Sequence, residues 1–408
     1  MIVLCPSVEL VPMPATIESL GQQLDDALKQ GSYERALNLL RSFCQEQPLA
    51  PQAQHQLGLL EEFVGTPSGA RTAYLRCLAL APSVPKAYLY AAYCLEQQGH
   101  TESALDLYSL GAELDETLLT LWQSNAQSAE AKRRSMAASK ALRSFLSTLH
   151  RDSVGPAEDC RRVASAIWTR THDQNYQFGH ESQRPQLFYL PEIASRGFEE
   201  SDGWHWVSTL QQASKEIQQE LLAALPEIDE HARPYLAADS RLDESFSELR
   251  GSLNWTALDL YADGVLNSAV AVHFPKTLEA LSTLPLYGLD DKPFEVFFSL
   301  LRPGQHIKPH FGLSNHSLTV HLPLIVPKGG WLRVGDETRE WQVGKVEVFD
   351  DTFIHEACNA GDSDRIVLIF SIWHPDLTAS EREAIRRCFS ARRNWLGARR
   401  VPSLSDFE

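Results

Sequence analysis

Phe294-Glu-Val-Phe-Phe-Ser-Leu-Leu-Arg-Pro-Gly-Gln-His306-Ile-Lys-Pro-His310-Phe-Gly312 is the stretch on which the fold of the C-terminal half turns. Phe294, Val296 and Phe298 alternate with residues of another character, the two-residue period of a strand with one buried face. Pro303-Gly304 breaks the run with a turn signal. His306 and His310 then follow, four apart. On a helix that spacing would put both imidazoles on one side, but Pro309 lies between them and a strand leads into them. The better pairing is His310 with His355, each at the end of a predicted strand. Outward from here the alternation persists. Leu318, Val320, Leu322 and Leu324 form one face, Val346 and Val348 follow a Gly-Lys turn, and Ile366, Leu368, Phe370 and Ile372 form the last. Short strands separated by Pro-Gly, Gly-Gly and Gly-Asp signals predict a β-sandwich or barrel.

The N-terminal third has a different period. Gly31, Gly65 and Gly99 are 34 residues apart, as are Ala36, Ala70 and Ala104. Pro48 and Pro82 keep that interval, and Leu40, Tyr74 and Tyr108 supply a large side chain in register. A turn glycine, a small residue where helices cross and a closing proline resemble the tetratricopeptide repeat. Residues 15–150 are therefore expected to be a helical repeat stack, its last repeat capped by the Ala/Lys/Arg-rich stretch from Ala129 to His150.

The 408 residues are 43% hydrophobic and 22% charged, enough for a core in each of two or three domains. A net charge of −16 makes nucleic acid a poor partner. The opening Met1–Pro14 has no basic region ahead of its short apolar run, so it is not read as a secretory signal. No run approaches the ~18 apolar residues of a membrane span, which predicts no membrane insertion. Seven cysteines without a CxxC argue against a disulfide framework and fit a reducing, cytoplasmic setting.

Seven of the fourteen histidines fall between His273 and His374. Two histidines in a β domain are more often hydrogen-bonded structural groups than ligands. The surrounding text favours the second. Ser299 to Gly312, His321-Leu-Pro-Leu-Ile-Val-Pro327, Val348-Phe-Asp-Asp-Thr-Phe-Ile-His355-Glu and Arg365-Ile-Val-Leu-Ile-Phe-Ser-Ile-Trp-His-Pro-Asp-Leu377 resemble the aspartyl/asparaginyl β-hydroxylase family. Asn254-Trp255 and Phe274-Pro-Lys-Thr-Leu278 extend the likeness to a core of about 180–378. The resemblance implies a double-stranded β-helix, jelly-roll or cupin-like, over residues 151–408, with flanking helices and a C-terminal helix over 379–400. It also implies an Fe(II)- and 2-oxoglutarate-dependent dioxygenase that consumes O2.

In that likeness His310 and His355 would be the protein ligands of iron. Gly312 stands where related oxygenases carry a metal-binding carboxylate, and this family does without it. Arg365 would hold the distal carboxylate of 2-oxoglutarate, because its two parallel N–H donors match two oxygens. Ser299, His321 and Trp255 match other co-substrate positions. The sequence departs from the animal enzymes at Ser317 and Thr319, where those carry arginines; Arg250 or Arg333 would have to substitute. Asp350 and Asp351 read either as groups orienting a histidine or as a turn, and Cys358 as a pocket-lining or core thiol. The seven arginines from Arg382 to Arg400 read as a solvated helix face or a docking surface.

The expected activity is hydroxylation of a C–H bond, at the β-carbon of an aspartyl, asparaginyl or other residue in a protein or peptide recruited by the repeats. The alternatives are a repeat-based interaction scaffold with an inactive oxygenase-like domain, and a hydroxylase of a lipid or small molecule.

Overall fold

The computed structural model describes residues 18–156, 159–228, 231–238 and 246–407, so the opening segment Met1–Pro14, with Cys5, lies outside them. The chain divides into two compact units, residues 1–148 with 393–408, and residues 149–392.

The first unit is helical. Its elements are α1 (Glu18–Lys29), α2 (Tyr33–Glu46), α3 (Pro51–Val64), α4 (Pro67–Leu80), α5 (Pro85–Gln97), α6 (Thr101–Leu114) and the start of α7 (Ala129–Ser153). Proline opens α3, α4 and α5, where its missing N–H would have been unpaired in any case. Gly31 and Gly99 end their helices at φ +69° and +83°, a left-handed turn that disfavours a Cβ. Gly65 keeps a negative φ of −97°, so its conservation of the interval has another cause: a Cβ there would strike Glu61. Ala36, Ala70 and Ala104 are all buried. One polar contact repeats with the interval as well. The Tyr74 hydroxyl donates to Glu62 at 3.0 Å, and the Tyr108 hydroxyl to Glu96 at 2.8 Å. Trp395 and Phe407 complete this unit, against Phe145 at 5.0 Å and His100 at 4.8 Å.

The second unit carries the strands. They are β1 (Ile167–Trp168), β2 (Phe188–Tyr189), β3 (Arg233–Pro234), β4 (Trp255–Ala262), β5 (Val265–Leu266), β6 (Val296–Leu301), β7 (His306–His310), β8 (Ser317–Ile325), β9 (Gly330–Val334), β10 (Glu337–Glu340), β11 (Glu347–Phe349), β12 (His355–Asn359) and β13 (Arg365–Trp373). Short α8 (Arg161–Ala164), long α9 (His205–Ile228), α10 (Ser268–Ala271) and α11 (Pro275–Leu281) fall between them. The unit ends within α12 (Ala379–Ala398), opened by a capping box. Thr378 N donates to Glu381 Oε2 at 2.9 Å, and Glu381 N to Thr378 Oγ1 at 3.2 Å.

The strands do not form the expected double-stranded β-helix. They divide into a four-stranded sheet ordered β10-β9-β12-β7 and a seven-stranded sheet ordered β11-β8-β13-β6-β4-β3, with β5 on β4. Among the described residues neither sheet closes on itself and no ladder joins the two, so the architecture is two open sheets and not a barrel. The reason the sequence misled is physical. Inward–outward alternation is the same in an open sandwich and a closed barrel, and nothing in the two-residue period encodes what an edge pairs with.

Each face of the large sheet has its own core. Leu318, Val320, Leu322, Leu368, Phe370 and Ile372 pack against Val207, Leu210, Ile217 and Leu221 of α9. The opposite face shares a cluster with the small sheet: Trp255, Leu301 and Phe349 from one, Ile307, Leu332, Val334 and Ala357 from the other. The polar residues singled out by the sequence sit on this second face.

Candidate active site

His310 ends β7 and His355 opens β12, and the ladder pairs them directly. Their ring centroids are 4.0 Å apart at an interplanar angle of 50°. Pro309 explains the local geometry: it has no N–H for the ladder, and the register slips between His355 and Ala357. Both rings are anchored from behind. His310 Nδ1 lies 2.7 Å from the Lys308 carbonyl and His355 Nδ1 3.0 Å from that of Phe353. A carbonyl only accepts, so each Nδ1 carries the proton and each Nε2 keeps its lone pair. Burial, with the neighbouring imidazole, pushes His310 down to about 3, and burial pushes His355 down to about 4. Two neutral imidazoles, each fixed through Nδ1, are the form in which histidine binds a metal. Among the described residues, however, no group of three or more His, Cys, Asp or Glu side chains is placed to hold one.

Gly312, the position the resemblance leaves without a carboxylate, has no room for a side chain. Its N–H donates to the Asp351 carbonyl at 2.6 Å, and a Cβ on Gly312 would lie 2.1 Å from Asp351 Oδ1. The Asp351 carboxylate therefore fills the space a side chain at 312 would take. It accepts from Thr319 Oγ1 at 3.2 Å, and burial raises its pKa to about 6. Asp350 is separate. Gln183 Nε2 donates to it at 2.8 Å and Thr352 N at 2.9 Å, which ties the turn before His355 to the segment at Gln183.

The positions that the resemblance assigns to a co-substrate also converge. Arg365 is 1% exposed, and its Nη1 donates to the Ser299 carbonyl at 3.1 Å and to Ser299 Oγ at 3.3 Å. Trp255 Nε1 donates to the same Oγ at 3.1 Å. Among the described residues no carboxylate pairs with the guanidinium, and burial lowers its pKa to about 9. His321 lies edge-on to Phe349 at 4.9 Å. Burial and the Arg365 charge push its pKa well down. A buried cation without a counterion is costly, and none is found for Arg365 among the described residues.

Of the remaining residues, Ser317 and Thr319 share the inner face with His321. Arg333 does not substitute for the absent arginines, being paired with Glu356, which also binds His306 at 2.6 Å. Arg250 stands on the turn after Phe246, whose ring is edge-on to His310 at 5.5 Å. Cys358 is half-exposed opposite His306 and Trp331, on the other side of the small sheet from Ala357. Sequence reasoning missed Trp341, whose ring lies 4.6 Å from the Arg365 guanidinium carbon. It sits in a loop, where no periodicity marks it.

The second unit thus brings two anchored imidazoles and a buried guanidinium, unpaired among the described residues, to one face of its sheets. Residues 211–375 match the family model of Aspartyl/Asparaginyl beta-hydroxylase. Over 138 residues the chain is 35% identical to the Aspartyl/asparaginyl beta-hydroxylase of Homo sapiens, covering 34% of this chain and 18% of that protein. It is 28% identical over 213 residues to Aspartate beta-hydroxylase domain-containing protein 2 of Mus musculus, covering 51% of this chain and 60% of that one. The chain thus spans under a fifth of the human protein it matches. A 2OG-Fe(II) oxygenase family oxidoreductase from Burkholderia pseudomallei aligns over 40% of this chain and 93% of its own, at 14% identity and a TM-score of 0.22. A likeness that slight says nothing of the fold.

Proposed function

We propose that this protein is an Fe(II)- and 2-oxoglutarate-dependent dioxygenase that hydroxylates a C–H bond in a protein or peptide. The observation that carries the reading is the pair His310 and His355, adjacent across the ladder and each with Nδ1 on a backbone carbonyl. These would hold iron, and the unpaired Arg365 with Ser299 would take the distal carboxylate of 2-oxoglutarate. When bound, the iron supplies O2 activation coupled to decarboxylation, one oxygen atom going to succinate and the other to substrate.

The chain's own residues set the conditions. The carbonyls of Lys308 and Phe353 fix the imidazole tautomers. Arg365 orients the co-substrate, and Phe246 and Phe349 keep water from two sides of the histidines. Ser317 and Thr319 offer hydroxyls and no charge, which supports a substrate side chain other than an aspartyl carboxylate.

The tetratricopeptide-like repeats would recruit that substrate. In the first unit a concavity of about 360 Å³ is lined by Arg41, Gln54, Glu61 and Arg76. The Gln54 amide is buried there without a hydrogen-bond partner among the described residues, a fit for a peptide backbone.

The test is succinate release from 2-oxoglutarate by the Fe(II)-loaded chain, with a panel of acidic, neutral and basic peptides. His310→Ala and His355→Ala should each abolish turnover while leaving the fold intact. Normal turnover by either variant would remove the two-histidine site.

A further inference from the structure

The likeness to the β-hydroxylases assigns Trp255 to the co-substrate, but in this structure another tryptophan is better placed. Trp255 is already engaged on two sides. Its N–H is given to Ser299 Oγ at 3.1 Å, and its ring is stacked on Tyr235 at 4.0 Å and 19°. Trp341 is the opposite case. It is 5% exposed, and its Nε1 is buried with no partner among the described residues. Its ring covers the guanidinium of Arg365 at 4.6 Å and lies 6.0 Å from the ring of His321.

Those two neighbours carry the same deficit. Arg365 Nε and His321 Nδ1 are both buried and without partners among the described residues. An indole N–H and a guanidinium N–H can only donate, and each unanswered buried donor is costly. The unsatisfied nitrogens of three adjacent side chains, around a cation that no acid among the described residues balances, call for a ligand group rich in acceptors. A carboxylate is that group.

Resting on the reading above, we propose that Trp341 is the tryptophan that meets the distal carboxylate of the 2-oxo diacid. Its N–H donates to a carboxylate oxygen, and its ring face holds the guanidinium so that the donor edge of Arg365 faces the ligand. Trp255 acts one step behind, by fixing Ser299. Trp341 is thus a binding residue for the co-substrate's far end.

Titrating 2-oxoglutarate into the Fe(II)-loaded full-length protein without oxygen, followed by the metal-to-ligand charge-transfer band, tests this. Trp341→Phe keeps a ring over Arg365 but removes the N–H, and should weaken binding about tenfold. Trp255→Phe should weaken it less than threefold. The control ligand is 2-oxopentanoate, which has the same chain length without the distal carboxylate. Its affinity should change less than twofold in Trp341→Phe. Equal weakening of both ligands would mean a structural role only, and unchanged 2-oxoglutarate affinity would also overturn the proposal. Arg365→Ala separates this from the underlying reading: if it too leaves 2-oxoglutarate unaffected, the co-substrate site itself is misplaced. Should Trp341→Phe not fold, ¹⁵N-indole spectra of the Zn(II)-loaded wild type serve instead. A buried indole N–H resonance should shift downfield on adding 2-oxoglutarate, and no shift would overturn the assignment.

Discussion

Gly312 and Asp351 compete for one volume. An alanine Cβ at 312 would sit 2.1 Å from Asp351 Oδ1, far inside contact distance. Gly312→Ala should therefore displace the carboxylate and cost about 1–3 kcal/mol of stability. The double variant Gly312→Ala/Asp351→Ala should recover most of the loss, because the obstruction goes with the carboxylate. Urea denaturation of the three variants measures both effects, and additive losses would show that the clash is relieved elsewhere. Arg365 lends itself to a second prediction. Removing one partner of a buried charge-assisted pair costs about 2–5 kcal/mol, so Arg365→Ala should weaken 2-oxoglutarate at least 30-fold. Arg365→Lys should regain only part, since an ammonium has no planar fork. Calorimetric titration of the metal-loaded variants gives the affinities; one within threefold of wild type would place the carboxylate's partner elsewhere.

At the scale of the element, the helical repeat depends on small residues where helices cross. Ala104 on α6 is 1% exposed in the same cluster as Leu89, Ala92 and Tyr108. Ala104→Leu adds three carbons to a closed space and should cost about 1–3 kcal/mol, read as a lowered urea midpoint of the helical signal. An unchanged midpoint would mean that the crossing is loose. The strands depend on a different device. Pro309 interrupts the β7–β12 ladder beside the histidines, so the backbone carbonyl of Lys308 is turned to His310 Nδ1. The sequence marked Pro309 as an obstacle to a helix, but its consequence for the imidazole needed the partner strand. Ser299 and Arg365 were legible as candidates. That Trp255 reaches Arg365 only through Ser299 was not.

For the whole molecule, buried neutral histidines set the response to acid. Burial pushes His150 and His374 down to about 4, and His316 to about 3, from an ordinary value of 6.5. His150 accepts the indole N–H of Trp168 at 3.2 Å on Nδ1, a bond that protonation would destroy. The folded pKa values lie below the unfolded ones, so below 6.5 the unfolded chain binds more protons. These groups leave stability undiminished above 6.5 and lower it as pH falls from there toward 4 and 3. With three such groups the decline approaches about 4 kcal/mol per pH unit at its steepest. Urea unfolding of metal-free protein at pH 7 and pH 5 should show a loss of several kcal/mol, and equal stability would contradict it. The two compact units lead to a final prediction. A fragment of residues 149–392 should retain slow, uncoupled decarboxylation of 2-oxoglutarate while losing turnover of a macromolecular substrate. Equal turnover of that substrate by fragment and full chain would show that the repeats serve another purpose.

By itself the sequence determined what is local. A 34-residue interval of Gly and Ala, closing prolines, alternating apolar residues and a Thr378–Glu381 box each act over a few neighbours, so their spacing can be read directly. It also supplied the candidate residues of the site, through motifs strung along the chain. The tertiary structure decided what depends on approach through space. Two open sheets replaced the expected closed β-helix because strand edges are chosen by ladder partners far apart in sequence. Asp351 took the volume beside Gly312, and Trp341 came to lie over Arg365, because packing brings together residues that no periodicity connects.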